Sequence, residues 1–265
     1  MTPLPNAAEA ALADAIRLCG LSGFETALWG FLRRATGADN LVVLAYPRAG
    51  PPLALYQATD SPQVFAQLST TYLGGAYLLD PFHELHLTQA APAVYRLTDI
   101  APDAFHRSRY FEEYYRQTTL LDEISFLSYP HPGLTLTICI GRDASSGSVF
   151  PARALETCRR IAPIVQALAN RHWASLPAAQ AQAPDLTAQV AAALQQRHGI
   201  RLSPRQAEVA ILVLRGHSTA SIALRLHVSP QTVKVFRRQI YTRCAISSQA
   251  ELFALMLPLL QSDSP

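Results

Sequence analysis

Residues 202–255 read LSPRQAEVAILVLRGHSTASIALRLHVSPQTVKVFRRQIYTRCAISSQAELFAL, and the spacing of caps and apolar residues in this stretch decides the fold of the C-terminal end. Ser203 precedes Pro204 and stands three positions before Gln206, so a capped helix with proline at its first position begins here. Gly216 can end it. Val209, Leu212 and Val213 share one face of this helix, and Ile222, Ala223 and Leu226 share one face of the next. The second helix stops near His227, after which Ser229-Pro230 repeats the cap-plus-proline signal.

Two short helices joined so tightly must cross steeply, which makes the pair a helix-turn-helix. Along the third helix Val233, Phe236, Ile240, Tyr241 and Cys244 form an apolar stripe. Gln231, Lys234, Val235 and Arg238 then lie at i, i+3, i+4 and i+7 on the opposite face, which is polar, basic and available to a DNA major groove. A fourth helix opens with Ser248 and Glu251 as a capping box and continues through Leu252, Leu255, Met256 and Leu259. A unit this small cannot bury all of that apolar surface, so these four residues are read either as core or as the seam of a homodimer.

The whole segment resembles the LuxR-type (GerE-like) DNA-binding domain. The resemblance is carried by Leu202, Ser203, Arg205, Glu208 and Val209, then Gly216, Ser218, Ile222, Ala223 and Leu226. It continues through Val228, Ser229, Thr232, Val233, Lys234, Ile240 and Tyr241 to Ser247, Ser248, Ala250, Glu251 and Leu252. It implies that Lys234, Val235 and Arg238 touch bases and phosphates and that Thr232 touches phosphate near the helix N-terminus; Gln231 and Arg237 complete the candidate set. It also implies double-stranded DNA with two half-sites as partner, and RNA polymerase as a further one. Phe236 stands where the family has His, Arg243-Cys244 where it has Lys-Leu, and Ala220-Ser221 where it has Lys-Glu, so fewer phosphate contacts are expected from the second helix.

Charge divides the chain in the same way. From Asp185 onward there are nine Arg or Lys against four Asp or Glu, a balance of +5, whereas residues 1–184 hold thirteen against fifteen, a balance of −2. A length of 265 residues and a hydrophobic content of 49% suit two domains with ordinary cores. No apolar run approaches ~18 residues and no basic segment leads an apolar one at the N-terminus, which points to a cytoplasmic protein without membrane contact. Cys19, Cys139, Cys158 and Cys244 are scattered among apolar neighbours and read as reduced core thiols. The expected division is a sensor at 1–172, a linker at 173–197 containing Pro177, Pro184 and a run of Ala and Gln, and the DNA-binding domain at 198–263.

Before the linker, the periodicity of Leu155, Cys158, Ile161, Ala162, Val165, Leu168 and Ala169 predicts a long helix over 152–172. Near the N-terminus Ala27, Leu28, Phe31 and Leu32 predict a helix from about Phe24, and Leu41–Tyr46 and Leu53–Tyr56 read as strands. Ile124–Tyr129 reads as another, and the alternation of Leu134, Leu136, Ile138 and Ile140 with Thr135, Thr137 and Cys139 gives a half-buried strand; Pro130, Pro132 and Gly133 make the turn between the two. Strands joined by short turns and flanked by helices indicate an α+β domain with an antiparallel sheet, of the PAS, GAF or autoinducer-domain kind, ahead of an all-α four-helix domain.

Lys234 is the only lysine, so a phosphorylated receiver domain and a P-loop are excluded; with no G-x-S-x-G motif and no metal constellation, neither an enzyme nor a cofactor is expected. The segment from Tyr72 through Tyr77 to Asp80-Pro81 resembles the Tyr, Tyr and Asp-Pro segment of LuxR-type autoinducer-binding domains, where the aspartate holds the amide N–H of an acyl-homoserine lactone. Carried over, Asp80 is the acceptor and Tyr72 and Tyr77 line the pocket; the tryptophan of that pattern has no counterpart near Val94-Tyr95-Arg96. An amine or aromatic metabolite is therefore favoured over a lactone, with Tyr95, Tyr110 and Tyr114 as further lining candidates.

Asp80-Pro81 also reads as a plain helix cap, and Phe105, Tyr110, Phe111, Tyr114 and Tyr115 as a helix packed on the sheet. Asp122 and Glu123 are expected to face water, and His83-Glu84-Leu85-His86 to form a solvated helix face rather than a zinc site. Two functions follow from these readings: a ligand-responsive transcription factor, or a regulator whose N-terminal domain only makes protein contacts.

Overall fold

The computed structural model describes residues 3–48, 50–177 and 185–260. Two compact units form, one drawn from residues 3–66, 85–100 and 118–177, the other from 67–84, 101–117 and 185–260. The first unit is built on a five-stranded antiparallel sheet in the order β2-β1-β5-β4-β3. The strands are β1 Asn40–Pro47, β2 Leu53–Thr59, β3 Val94–Arg96, β4 Leu120–His131 and β5 Leu134–Asp143. Pro132-Gly133 makes the tight connection between β4 and β5, with Gly133 at φ +94°, a conformation that costs glycine nothing. Pro130 lies inside β4 where the register shifts between Ser128 and His131, so its missing N–H falls at an irregularity of the ladder.

Of the helices α1 Asn6–Leu18, α2 Phe24–Thr36, α3 Pro81–Leu87, α4 Leu97–Ile100, α5 Arg109–Glu113 and α6 Ala152–His172, three, α1, α2 and α6, share the core of one sheet face. Leu41, Val43 and Ala45 of β1, Ile124 and Phe126 of β4, and Leu136, Ile138 and Ile140 of β5 meet Phe24, Leu28, Phe31, Cys158, Ile161 and Val165 there. Each of the buried phenylalanines contributes about 2–3 kcal/mol by leaving water. The predicted helix over 152–172 is α6 to the residue, because its apolar stripe is long enough to override Pro163 within it. The α+β class and the antiparallel sheet expected from the alternation are both present.

The strand at 134–140 departs from expectation, since it is buried on both faces. Thr135, Thr137 and Cys139, which alternate away from the helical core, are 4% exposed or less, and the hydroxyls of Thr137, Ser125 and Ser128 find no hydrogen-bond partner among the described residues. Asp122 also departs: it is buried rather than water-facing, accepting from Arg96 Nε at 3.1 Å and Nη2 at 2.6 Å and from the Phe150 N–H at 3.0 Å. A charge can lie this deep because a guanidinium and a backbone donor share it.

The second unit contains α7 Leu186–His198, α8 Pro204–Leu214, α9 Thr219–Leu226, α10 Pro230–Arg243 and α11 Gln249–Leu260. The helix α7 takes up the second half of the expected linker of 173–197 and ends one residue beyond it; Asp185 caps it, accepting from the Thr187 N–H at 2.9 Å, while residues 178–184 of that stretch lie outside the described residues. Residues 67–84 and 101–117, assigned by sequence to the sensor, pack in this same unit. They form a π-helical turn at Leu68–Tyr72, 3₁₀ turns at Ala76–Leu79 and Phe105–Arg107, and a short helix at Arg109–Glu113. The single aromatic helix expected across 105–115 is thus broken, because the Ser108 hydroxyl accepts from the Phe111 N–H at 3.1 Å and starts a new turn.

Candidate nucleic-acid interface and sensor site

The C-terminal helices are set by their caps. Ser203 and Gln206 complete the predicted capping box of α8, Ser218 caps α9, and Ser229 accepts from the Thr232 N–H at 3.0 Å to start α10. Gly216, at φ +93°, and His227, at φ +53°, turn the chain out of α8 and α9. Val233 and Ile240 of α10 and the Cys244 that follows it are buried, while Phe236 and Tyr241 of the predicted stripe are half-exposed; Gln231, Lys234 and Arg238 are exposed and Val235 half-exposed on the other face.

Thr232 and Arg237 are placed differently. The Thr232 hydroxyl lies 2.8 Å from Ser229 Oγ, at the N-terminus of α10, where it supports the cap. Arg237 is turned off the open face: its guanidinium reaches Thr219 Oγ1 and the Tyr241 hydroxyl at 3.4 Å each and lies over the Tyr241 ring. Behind the helix, Gln206 Oε1 accepts from Arg243 Nη1 at 2.6 Å while its amide donates to Gln239 Oε1 at 2.9 Å, tying α10 to the start of α8. In α11, Leu252 and Met256 are wholly buried within the chain, whereas Leu255 and Leu259 are half-exposed. Of the four seam candidates, only the latter two have surface to offer a partner.

The sensor candidates Asp80, Tyr72, Tyr77, Tyr110 and Tyr114 come together in the second unit. Asp80 takes the cap role, one of the two weighed for it from sequence, and its second oxygen is a phenol acceptor. Its Oδ1 accepts from the Phe82 N–H at 2.8 Å, capping α3, Pro81–Leu87, and its Oδ2 accepts from the Tyr72 hydroxyl at 2.7 Å. Ring contacts then run from His83 to Tyr77, Tyr72, Tyr114, Tyr110 and Phe105, with centroids 5.1–6.4 Å apart. Burial pushes the Asp80 carboxyl up to about 6, against the pull of the Tyr72 and Phe82 hydrogen bonds. Tyr95 stands apart, on β3 of the first unit, where its hydroxyl donates to the Ala91 carbonyl at 2.8 Å.

The segment His83 to His86 is not a solvated face. Both histidines are buried, His86 with Nδ1 2.7 Å from Thr135 Oγ1 and its ring stacked on Tyr46, and burial holds it below the ordinary histidine value. Glu84 takes Arg215 at 2.6 Å on one oxygen and Arg225 at 2.7 Å on the other. The sequence reads this carboxylate as part of a solvated face; the signal against that is Arg215, a cation directly after the apolar run Ile211–Leu214 that calls for an acidic partner. His217 adds no cation to the turn, since burial and then Arg225 push it down to about 4. Elsewhere, an open groove of about 820 Å³ between α1 and α2 is lined mostly by small residues such as Ala7, Ala10 and Ala27 and includes none of the predicted site residues.

Residues 201–256 match the family described as bacterial regulatory proteins, luxR family. A protein of Aeromonas salmonicida described as an HTH-type transcriptional regulator in the exeN 3′ region is 31% identical over 185 residues, covering 67% of this chain and 93% of that one. The crystal structure of the VqsR LBD domain from Pseudomonas aeruginosa is 22% identical, covers 64% of this chain and 99% of its own, and superposes with a TM-score of 0.54. Escherichia coli SdiA is 13% identical, covers 96% of this chain and 99% of its own, and gives a TM-score of 0.40. No helix among the described residues is long and apolar enough to cross a membrane.

Proposed function

The chain belongs to the luxR family of bacterial regulatory proteins, DNA-binding transcription regulators rather than enzymes, and from that premise we propose that it answers to a small molecule that presents an amine or another N–H donor to Asp80. The observation that carries this reading is the Asp80 carboxylate itself. It is shielded enough to be pushed up to about 6, its donors are one phenol and one backbone N–H, and no described Arg, Lys or His forms an ion pair with it. A cationic or N–H-bearing effector supplies the charge complement the protein lacks, and the rings of Tyr72, Tyr77, Tyr110 and Tyr114 supply aromatic surface beside it. The operator is read by Lys234, Val235 and Arg238 on α10, with Gln231 and Thr232 at its N-terminal end.

Native mass spectrometry of the full-length protein purified from its own host tests the sensor reading. Wild type is expected to retain a small molecule that Asp80→Asn loses, because asparagine keeps the cap but not the charge. Equal retention by both makes Asp80 a cap only. No adduct in wild type favours the second reading, an N-terminal part that only makes protein contacts, which the near-complete burial of Tyr72, Tyr110 and Tyr114 supports.

The raised carboxyl also has a sign. Folding holds the Asp80 proton more tightly than the unfolded chain does, so this group lowers stability progressively as pH rises from about 4 to about 6 and costs most above that. With the side chain only partly buried, the cost is about 1–2 kcal/mol at neutral pH. Asp80→Asn is therefore expected to melt higher than wild type at pH 7, with the difference closing toward pH 4.

Leu255 and Leu259, both half-exposed on α11, are proposed as the dimer seam. Leu255→Arg or Leu259→Arg is expected to give a soluble monomer in sedimentation and to weaken a two-half-site operator far more than a single half-site. Unfolded protein in place of a monomer assigns α11 to the core.

A further inference from the structure

Both ends of α9 carry a carboxylate from segments far away in the chain. In a helix-turn-helix the helix before the recognition helix crosses the DNA backbone, so α9 is the element that phosphates approach. At its N-terminus Asp103 Oδ1 accepts from the Ser218 N–H at 2.9 Å, and next to it the Ala104 N–H donates to the Gly216 carbonyl at 3.0 Å. At its C-terminal end Arg225 donates to Glu84, whose other oxygen takes Arg215 from the end of α8; Arg215 Nε also donates to the Leu78 carbonyl at 3.2 Å. The approach at Gly216 is close, since a Cβ there would stand 2.8 Å from Phe105 Cα.

We propose that Glu84 and Asp103 form a clamp on the turn between α8 and α9 that restrains DNA binding. The restraint is electrostatic and geometric. Arg225 is 44% exposed, and held on Glu84 its charge is neutralised where a phosphate would meet it. Asp103 places a negative charge against the N-terminal dipole of α9, the end of a helix that favours a phosphate oxygen. Two carboxylates thus compete with the DNA backbone for the same element. The clamp shares its segments with the ring cluster, because Leu78 and Glu84 flank Asp80, and Asp103 and Phe105 lead into Tyr110. It rests on DNA binding by this family and not on the effector.

The test uses full-length protein without effector and a short random-sequence DNA duplex, with affinity read by fluorescence anisotropy over a range of salt. Asp103→Asn and Glu84→Gln are each expected to bind about three- to tenfold tighter than wild type near physiological salt. Glu84→Gln is also expected to steepen the salt dependence by about one phosphate contact, because Arg225 is released. Glu113→Gln, which removes an exposed carboxylate that pairs with Arg109 and not with α9, is the control and is expected to bind as wild type does. Unchanged or weaker binding by the clamp variants, or an equal gain in Glu113→Gln, overturns the proposal. If Glu84→Gln fails to fold with Arg215 left unpaired, Asp103→Asn, whose side chain is exposed, decides alone. Since no effector is present, failure here leaves the Asp80 reading standing, and failure of that reading leaves the clamp standing.

Discussion

Replacing Lys234 and Arg238 together with alanine is expected to weaken operator binding by about 2–6 kcal/mol while leaving the melting temperature within a degree or so of wild type. Both side chains are exposed and one turn apart on the face of α10 opposite Val233 and Ile240, so their removal opens no cavity. Of the two, the one that reads a base should relax specificity at a single operator position, whereas the one that holds phosphate should weaken all sequences alike and flatten the salt dependence by about one contact. Arg237→Ala separates the structural assignment from the sequence one. It ranks beside its neighbours by charge, but its guanidinium is spent on Thr219 and Tyr241, so its loss is expected to cost less than either. A double variant that binds as tightly as wild type would place the DNA surface on another face.

Arg96→Met is expected to cost about 3–5 kcal/mol of folding stability by urea titration, the largest loss from any one side chain named here. The Asp122 side chain is 1% exposed, and Arg96 supplies both of its charged hydrogen bonds while donating to the Phe150 carbonyl at 3.3 Å. Methionine keeps most of the volume and none of the donors, leaving a buried carboxylate on one backbone N–H. Adding Asp122→Asn is expected to recover part of the loss, because a neutral amide costs less to bury than an unpaired charge. Equal stability of Arg96→Met and wild type would mean that Asp122 is hydrated and the pair ornamental.

Where the sequence was readable, two conditions held together: a local cap and a period long enough to average over exceptions. Ser203 with Gln206 and Ser229 with Pro230 meet both, and each of those helices starts where its cap predicts; the stripe from Leu155 to Ala169 meets only the second, since no side chain caps the helix at Pro151. The strands β4 and β5 were legible from period-2 alternation and the Pro-Gly turn. Helix α7 is not legible because its alanine-rich sequence carries little apolar contrast between faces, and α1 because its buried face is only the small residues Ala8, Ala11 and Ala15.

Charge pairing was the part that local reading could not reach. Asp122 and Glu84 each look like a surface carboxylate among their neighbours in sequence, and a local rule sends such residues to water. Whether a carboxylate is solvated depends on what the rest of the chain brings to it: Arg96 lies 26 positions from Asp122 and Arg215 lies 131 from Glu84. The same holds for the threonine face of β5, which alternation marks as polar but which tertiary packing buries. The sequence by itself determined the helices of the DNA-binding end, the basic face of α10 and the α+β class, because caps, periodicity and turn residues act over a few positions. Only the tertiary structure decided that Asp80 is at once cap and phenol acceptor, that Arg237 turns to Thr219 and Tyr241, and that 67–84 and 101–117 fold with the C-terminal helices, since each depends on which distant groups share the energy of burial.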